Sequence, residues 1–213
     1  MIKIITLERE YGSGGAVIAQ KLAERLGWKL WDQLLTNEIA RSMKCHESEI
    51  EQREERRDSL GYRLMKSFMR GTFEGNLNAP EMQLLDADCI FETTSRVVQQ
   101  VAKAGNSVIV GRGGAYFLKD RRDAYHVFVY APPEDKIRRL QQSGKSAAEA
   151  KELVESVDQE RAAFIMKYFN IQWPTLSRYH LMINSHIGED AVVDMILAGI
   201  ALVENPHDSV SRN

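Results

Sequence analysis

Residues 2–27 constrain this chain more than any other stretch. Ile2, Ile4, Ile5 and Leu7 form a short apolar run rich in β-branched residues, the pattern of a strand covered on both faces. Gly12-Ser13-Gly14-Gly15 follows. Ala16, Ala19, Leu22, Ala23 and Leu26 then recur with a helical period as far as Gly27, which sits where a helix C-cap belongs. A buried strand, a glycine turn and a helix in direct succession aim several main-chain N–H groups and the positive end of a helix at one point. Such a point binds phosphate.

The full phosphate-loop signature is a first glycine, four residues, then Gly-Lys-Ser/Thr. Here Arg9 stands in the place of the first glycine, Gly15 in that of the lysine and Ala16 in that of the metal-binding hydroxyl. The scaffold is kept and its two chemical side chains are missing. A helix N-terminus contributes roughly 0.3–2 kcal/mol toward an anion. A cation on a transferring phosphoryl group is worth on the order of 10³–10⁵ in rate. Backbone alone therefore holds phosphate but transfers it poorly, and phosphoryl transfer requires a cation from elsewhere. Arg9, at the mouth of the loop, is the first candidate. Lys21 lies about 9 Å further down the helix than Gly15 and is set aside as too distant. The plainer alternative, glycines that make only a tight strand-to-helix turn, stands beside this reading.

Size and composition bound the rest. With 213 residues, 44% hydrophobic and 27% charged, the chain suits one domain with insertions and buries a substantial core. A net charge of −2 gives no electrostatic case for a nucleic-acid partner. No apolar run approaches the ~20 residues of a membrane span. Only two cysteines occur, Cys45 and Cys89, which implies no disulfide framework and a reducing compartment. The first strand starts at once and leaves no room for a signal peptide. The expectation is a cytoplasmic protein with no nucleic-acid and no membrane partner.

Further along, Trp28 to Trp31 reads as a second strand ending at Asp32, and Leu34, Leu35, Ile39, Ala40 and Met43 as a helix. Asp32 either meets a ligand at the strand's carboxyl end or caps the helix after it. Residues 42–80 read as an inserted helical subdomain: a charged helix opened by Ser48 and Glu51, an amphipathic helix over 60–69, and a loop over 71–80. A long helix follows Pro80 and runs to Ala104. Ser107 to Val110 is a buried-type strand that runs straight into Gly111-Arg112-Gly113-Gly114, where Arg112 has an unobstructed fork for an oxyanion. His126 to Tyr130 is another such strand, and Pro132-Pro133 opens a helix broken at Ser143-Gly144. Ser146 and Glu149 then form a capping box for a helix reaching Phe169. Asp158 and Arg161, one turn apart on it, also suit a salt-bridged outer face. Leu181 to Ile183 is a last short strand ending at Asn184, the closing helix carries an apolar stripe from Val192 to Val203, and residues 205–213 read as frayed. Five apolar runs alternating with helices predict an α/β fold with a parallel sheet covered on both faces. Ligands in such folds sit beyond the carboxyl ends of the strands, where the glycine turn, Asp32 and Arg112 gather.

These segments resemble the nucleoside monophosphate kinases, and most closely the cytidylate kinase-like family. The resemblance is carried by REYGSGG at 9–15, IAQKLAERLG at 18–27, WDQLL at 31–35, VIVGRGGAYFL at 108–118 and the stretch 158–185. It implies a P-loop NTPase-like three-layer sandwich with a five-stranded parallel sheet. It also implies a single domain over 1–213, with a helical acceptor-binding insertion at about 33–90 and a lid at about 133–172. The implied reaction moves the γ-phosphoryl of ATP, with Mg²⁺, to a nucleoside monophosphate, CMP or dCMP. Carried over by position, Gly12, Ser13, Gly14, Gly15 and Ala16 look like the donor-phosphate loop, and Arg112 looks like the acceptor-phosphate arginine. Arg138, Arg139 and Arg161 look like lid cations, and Asp32 and Asn184 fall in the acceptor site. Arg9, Arg112 and Arg161 are the expected catalytic cations, while metal ligands and oligomeric state stay unassigned. The chain departs from cytidylate kinases at Gly15 and Ala16, and at Asn184, where a ribose-contacting Asp is expected. Two alternatives follow: a nucleotide-binding protein without transfer activity, serving as a sensor or partner-binding module, or a kinase with another phosphorylated small-molecule acceptor.

Overall fold

In the computed structural model, the apolar run of the N-terminus forms β1 (Ile4–Arg9), every residue of it buried. The structure describes residues 1–44 and 87–205. The expected helices and loop of 48–80, the start of the helix after Pro80, and the tail beyond Asn205 lie outside the described residues. In chain order β1 is followed by α1 (Gly15–Leu26), β2 (Lys29–Trp31), α2 (Gln33–Lys44), α3 (Ala87–Ala104), β3 (Ser107–Val110) and a one-turn α4 (Gly114–Phe117). Then come β4 (Ala124–Tyr130), α5 (Pro133–Gln142), α6 (Ala147–Phe169), β5 (Leu181–Asn184) and α7 (Glu189–Glu204), with 3₁₀ turns on either side of β5.

The boundaries have local causes. Gly27 ends α1 in the left-handed conformation, its amide turned back to the carbonyls of Ala23 and Glu24. Pro133 opens α5, where a missing N–H costs nothing. Ser146 Oγ accepts from the Glu149 amide, which fixes the start of α6. The one-turn α4 was not foreseen, because four residues are too few to show a period.

The five strands are all parallel in the order β2-β3-β1-β4-β5. Alternate residues of β1 feed two cores, one on each face. Ile4 joins Leu35, Ile39, Val98, Ala115 and Phe164 beneath α2, α3, α4 and α6. Ile5 and Leu7 join Ile18, Leu22, Val192 and Ile196 beneath α1 and α7. Burying each such side chain contributes roughly 1.5–3 kcal/mol, which pins the register that sends Glu8 to one face and Arg9 to the other. The result is the expected three-layer α/β sandwich. Because β3 and β4 flank β1, the chain changes direction about β1, and the crevice at its carboxyl end is where this architecture places a ligand. Among the described residues, no helix is long and apolar enough to cross a membrane.

Candidate active site

The glycine turn leaves β1 through a buried Tyr11, and Gly12 and Gly14 both adopt left-handed backbone, φ 76° and 78°. Only glycine does so without strain. Ser13 closes the turn on Glu10, its amide and hydroxyl both donating to the Glu10 carbonyl. Among the described residues, no main-chain carbonyl accepts from the amides of Gly12, Gly14, Gly15, Ala16 or Val17. These donors open at the N-terminus of a 12-residue helix, an arrangement that suits an anion.

Arg9 is buried and threads between two glycines. A Cβ on Gly15 would lie 2.8 Å from Arg9 Cβ and 2.9 Å from its Cγ. A Cβ on Gly111 would overlap the Arg9 Nη1. The arginine thus occupies the space a side chain at position 15 would need, and its guanidinium lies across the end of β3. There Gly111, Arg112 and Gly113 are left-handed in succession, with Arg112 at φ 55°. A non-glycine residue held there costs about 1–3 kcal/mol, the kind of strain that gathers at functional sites. Arg112 is buried and donates through Nη2 to Thr36 Oγ1 at 2.8 Å. Thr36 in turn donates to the Asp32 carbonyl.

Arg161 completes the group. Its Nη1 donates to the Arg9 carbonyl at 3.0 Å and to Asp158 Oδ1 at 3.1 Å, and the same Oδ1 accepts from the Tyr11 amide at 2.9 Å. Asp158 and Arg161 therefore face inward and fasten α6 to the glycine turn, rather than forming the outer face their spacing also suited. Burial and the neighbouring Arg9 charge push the Arg112 guanidinium down to about 9 and that of Arg161 down to about 10. Both stay cationic at neutral pH, but under mutual repulsion that an oxyanion relieves. Glu8 lies among the three arginines, and burial raises its carboxyl above the ordinary range even against their attraction. Burial likewise raises Asp158.

Helix α5 braces the turn from the other side. Gly12 packs so tightly on Lys136 that a Cβ there would lie 3.1 Å from the Lys136 Cβ and carbonyl oxygen. Lys136 Nζ is 3.0 Å from Glu10 Oε2 and 3.8 Å from Asp158 Oδ2. Arg139 donates to the carbonyls of Gly12 and Ser185, and Ser185 Oγ donates to the Ser13 carbonyl at 2.6 Å. Arg138, by contrast, is 59% exposed and paired with Asp135. Asn184 Oδ1 accepts from the His186 amide, capping the turn after β5. Asp32 and Ala16 line one open cleft of about 280 Å³ with Leu30, Gln33 and Leu34. Lys21 is held by Glu189 and Asp190 of α7.

The site thus unites Arg9, Arg112, Arg161 and the Gly12–Ala16 turn, and it leaves Arg138 and Asn184 with other partners. Sequence reasoning missed Glu8, Lys136, Thr36 and Ser185. Glu8 carried one signal: a carboxyl directly before Arg9, at the end of a strand that begins with the apolar run of Ile4, Ile5 and Leu7.

A family model described as the cytidylate kinase-like family matches residues 4–187. The chain belongs to that family. No protein of curated function matches its sequence. In fold, this cytidylate kinase-like protein is similar to an uncharacterized protein from Eubacterium ventriosum ATCC 27560, with a TM-score of 0.67 and 22% identity over 94% of this chain and 99% of that one. It is also similar to the shikimate kinase from Bacteroides thetaiotaomicron, with a TM-score of 0.54 and 16% identity over 95% and 100% of the two chains. At such identities the likeness is one of fold, the three-layer α/β sandwich with its parallel sheet.

Proposed function

We propose that this member of the family is a phosphotransferase that moves the γ-phosphoryl of ATP to a nucleoside monophosphate, CMP or dCMP, with Arg9 in the role of the missing loop lysine. One observation carries the reading. The Arg9 side chain passes through the space that a residue 15 side chain would fill, and its cation comes to rest beside Arg112.

The open amides of the turn and three buried guanidiniums fit a polyphosphate. The fit to Mg²⁺ is narrower. Ala16 offers no hydroxyl, and among the described residues no group of three or more His, Cys, Asp or Glu side chains could hold a metal ion. Mg²⁺ is commonly carried by substrate phosphates with one or two carboxylates, and Asp32, in the cleft beside Ala16, is the carboxylate placed for that. Bound there, the ion would offset phosphate charge. The chain's own contribution is positional. The turn amides seat the donor phosphates, Arg9 and Arg161 flank the phosphoryl group in transfer, and Arg112, steadied by Thr36, seats the acceptor anion. Helices α5 and α6 act as the lid that excludes water.

Asn184 is committed to capping its own turn, which favours a second reading in which the acceptor is another phosphorylated small molecule. ADP release, measured with Mg²⁺ across all common nucleoside monophosphates and a panel of phosphorylated metabolites, tests both. Turnover with CMP or dCMP alone supports the first, and turnover with another acceptor alone supports the second. Tight ATP binding without any turnover would make the protein a nucleotide-binding module.

A further inference from the structure

Glu8 is the one member of the arginine cluster to which the phosphotransfer reading gives no task. It is buried to 6% exposure at the carboxyl end of β1. Arg9 acts on it from its own strand, Arg112 from the turn after β3, and Arg161 from α6, while the Gly114 main chain donates a hydrogen bond to it. Tyr116 of α4 and Tyr179, before β5, complete its titratable surroundings, with Arg178 beside the two tyrosines. Its Oε1 is buried with no hydrogen-bond partner among the described residues.

The balance of charge gives that oxygen a use. Arg9, Arg112 and Arg161 confront Glu8, Asp32 and Asp158, and the cluster is electrically even before any ligand arrives. An oxyanion that seats on Arg112 and Arg161 brings negative charge into a buried, balanced site, which is costly unless a compensating charge enters with it. Asp158 already has its partners: its Oδ1 accepts from the Tyr11 amide and from Arg161, and its Oδ2 lies 3.8 Å from Lys136 Nζ. Glu8 has an acceptor atom with nothing to accept, and protonation converts that atom into a donor that an anion can use.

We propose that anion binding at this site is proton-linked through Glu8: as an oxyanion settles on Arg112 and Arg161, Glu8 takes up a proton that offsets one unit of the incoming negative charge. Glu8 is then a positioning residue, which sets the charge of the anion that the arginines accept. Its raised affinity for protons is the direction this coupling requires, since the incoming charge raises it further. The proposal rests on the reading of the cluster as an anion site.

Inorganic sulfate is the probe, because it does not titrate between pH 6 and 9 and so adds no protons of its own. Calorimetric titration of the full chain with sulfate, in pairs of buffers with different ionisation enthalpies, counts the protons taken up. Wild type is expected to take up as much as one proton per sulfate within this range, its affinity rising toward about tenfold per pH unit as pH falls. Glu8→Gln is expected to lose both the uptake and the slope, and to bind sulfate more tightly than wild type at pH 9. Infrared difference spectra of wild type supply a test independent of that variant's folding: sulfate should bring up a protonated-carboxyl band. Sulfate binding without proton uptake in wild type, or uptake that persists in Glu8→Gln, overturns the proposal alone. Failure of sulfate to bind at all overturns the anion site itself, and the proposal with it.

Discussion

Arg9 and Gly15 are complementary halves of one arrangement: the arginine's Cβ and Cγ lie 2.8 and 2.9 Å from the point where a side chain on Gly15 would begin. Gly15→Lys therefore does not rebuild the phosphate-loop lysine. It overpacks a buried turn, at a cost of about 1–3 kcal/mol. Thermal unfolding should show a loss of roughly 2–4 °C for each kcal/mol in a chain of this size. The double variant Arg9→Gly, Gly15→Lys should recover part of the loss, because the space is then vacated. A single variant as stable as wild type would mean that Arg9 moves aside freely, and that the two residues are independent.

Replacing Arg9 alone tests its chemistry. A cation on a transferring phosphoryl group is worth on the order of 10³–10⁵ in rate, so Arg9→Ala should lower kcat by at least a hundredfold with ATP affinity changed far less. Arg9→Lys, which keeps the charge but not the fork, should fall between the two. An unchanged kcat in Arg9→Ala removes Arg9 from the mechanism.

Arg112 is tied to Thr36 and, through it, to the start of α2. Arg112→Ala should raise the acceptor KM by tenfold or more, as expected for a charge-assisted contact worth about 1.5–3 kcal/mol, and leave ATP binding near wild type. Equal losses for both substrates would place Arg112 on the donor side.

What the sequence shows of this site, and what it hides, follows from how each residue is bound. Ile4 to Leu7, Gly12 to Gly15 and the helix to Gly27 announce themselves by period and by glycine, and Arg112 by its flanking glycines. Those signals are local. Lys136 meets Glu10 across 126 residues and Arg161 meets the Arg9 carbonyl across 152, and no spacing rule reaches so far. Asp158 and Arg161 read equally well as surface or as site, because an i,i+3 pair looks the same on either face of a helix. Only the packing of α6 against β1 decides between them. Ser185 was invisible for another reason: a small hydroxyl beside a strand end has many uses, and its bond to the Ser13 carbonyl appears only once β5 stands beside the turn.

Acid should weaken the fold through β4. His126 Nδ1 and Thr6 Oγ1 lie 2.7 Å apart between adjacent strands, and the His126 amide donates to His180 Nδ1. Burial, with the neighbouring His180 and Arg178, pushes His126 down to about 4, whereas an unfolded histidine titrates near 6.5. As pH falls, the unfolded chain takes up the proton first. The contribution is therefore complete above about pH 6.5 and is lost toward pH 4, with about 2 kcal/mol gone by pH 5. Urea unfolding at pH 7 and pH 5 should show that loss in wild type and a smaller one in His126→Gln. Equal losses in the two proteins would assign the acid sensitivity to other groups.

The neighbouring arginines of α5 separate two accounts of that helix. If both serve as lid cations, Arg138→Ala and Arg139→Ala should each reduce turnover while leaving the unliganded fold nearly as stable as before. The geometry favours a division of labour instead. Arg139 joins the Gly12 carbonyl to that of Ser185, so it braces the turn before any nucleotide arrives. Arg138 is 59% exposed on Asp135, in a class of surface pair worth about 0–1 kcal/mol. Arg139→Ala should therefore lower unfolding free energy by about 1–3 kcal/mol, the range for hydrogen bonds to a charged group, and weaken ATP binding with it. Arg138→Ala should change stability by less than about 1 kcal/mol. Matching urea curves for the two variants would show that the Arg139 bridge contributes nothing to the empty turn, and would return both residues to the lid.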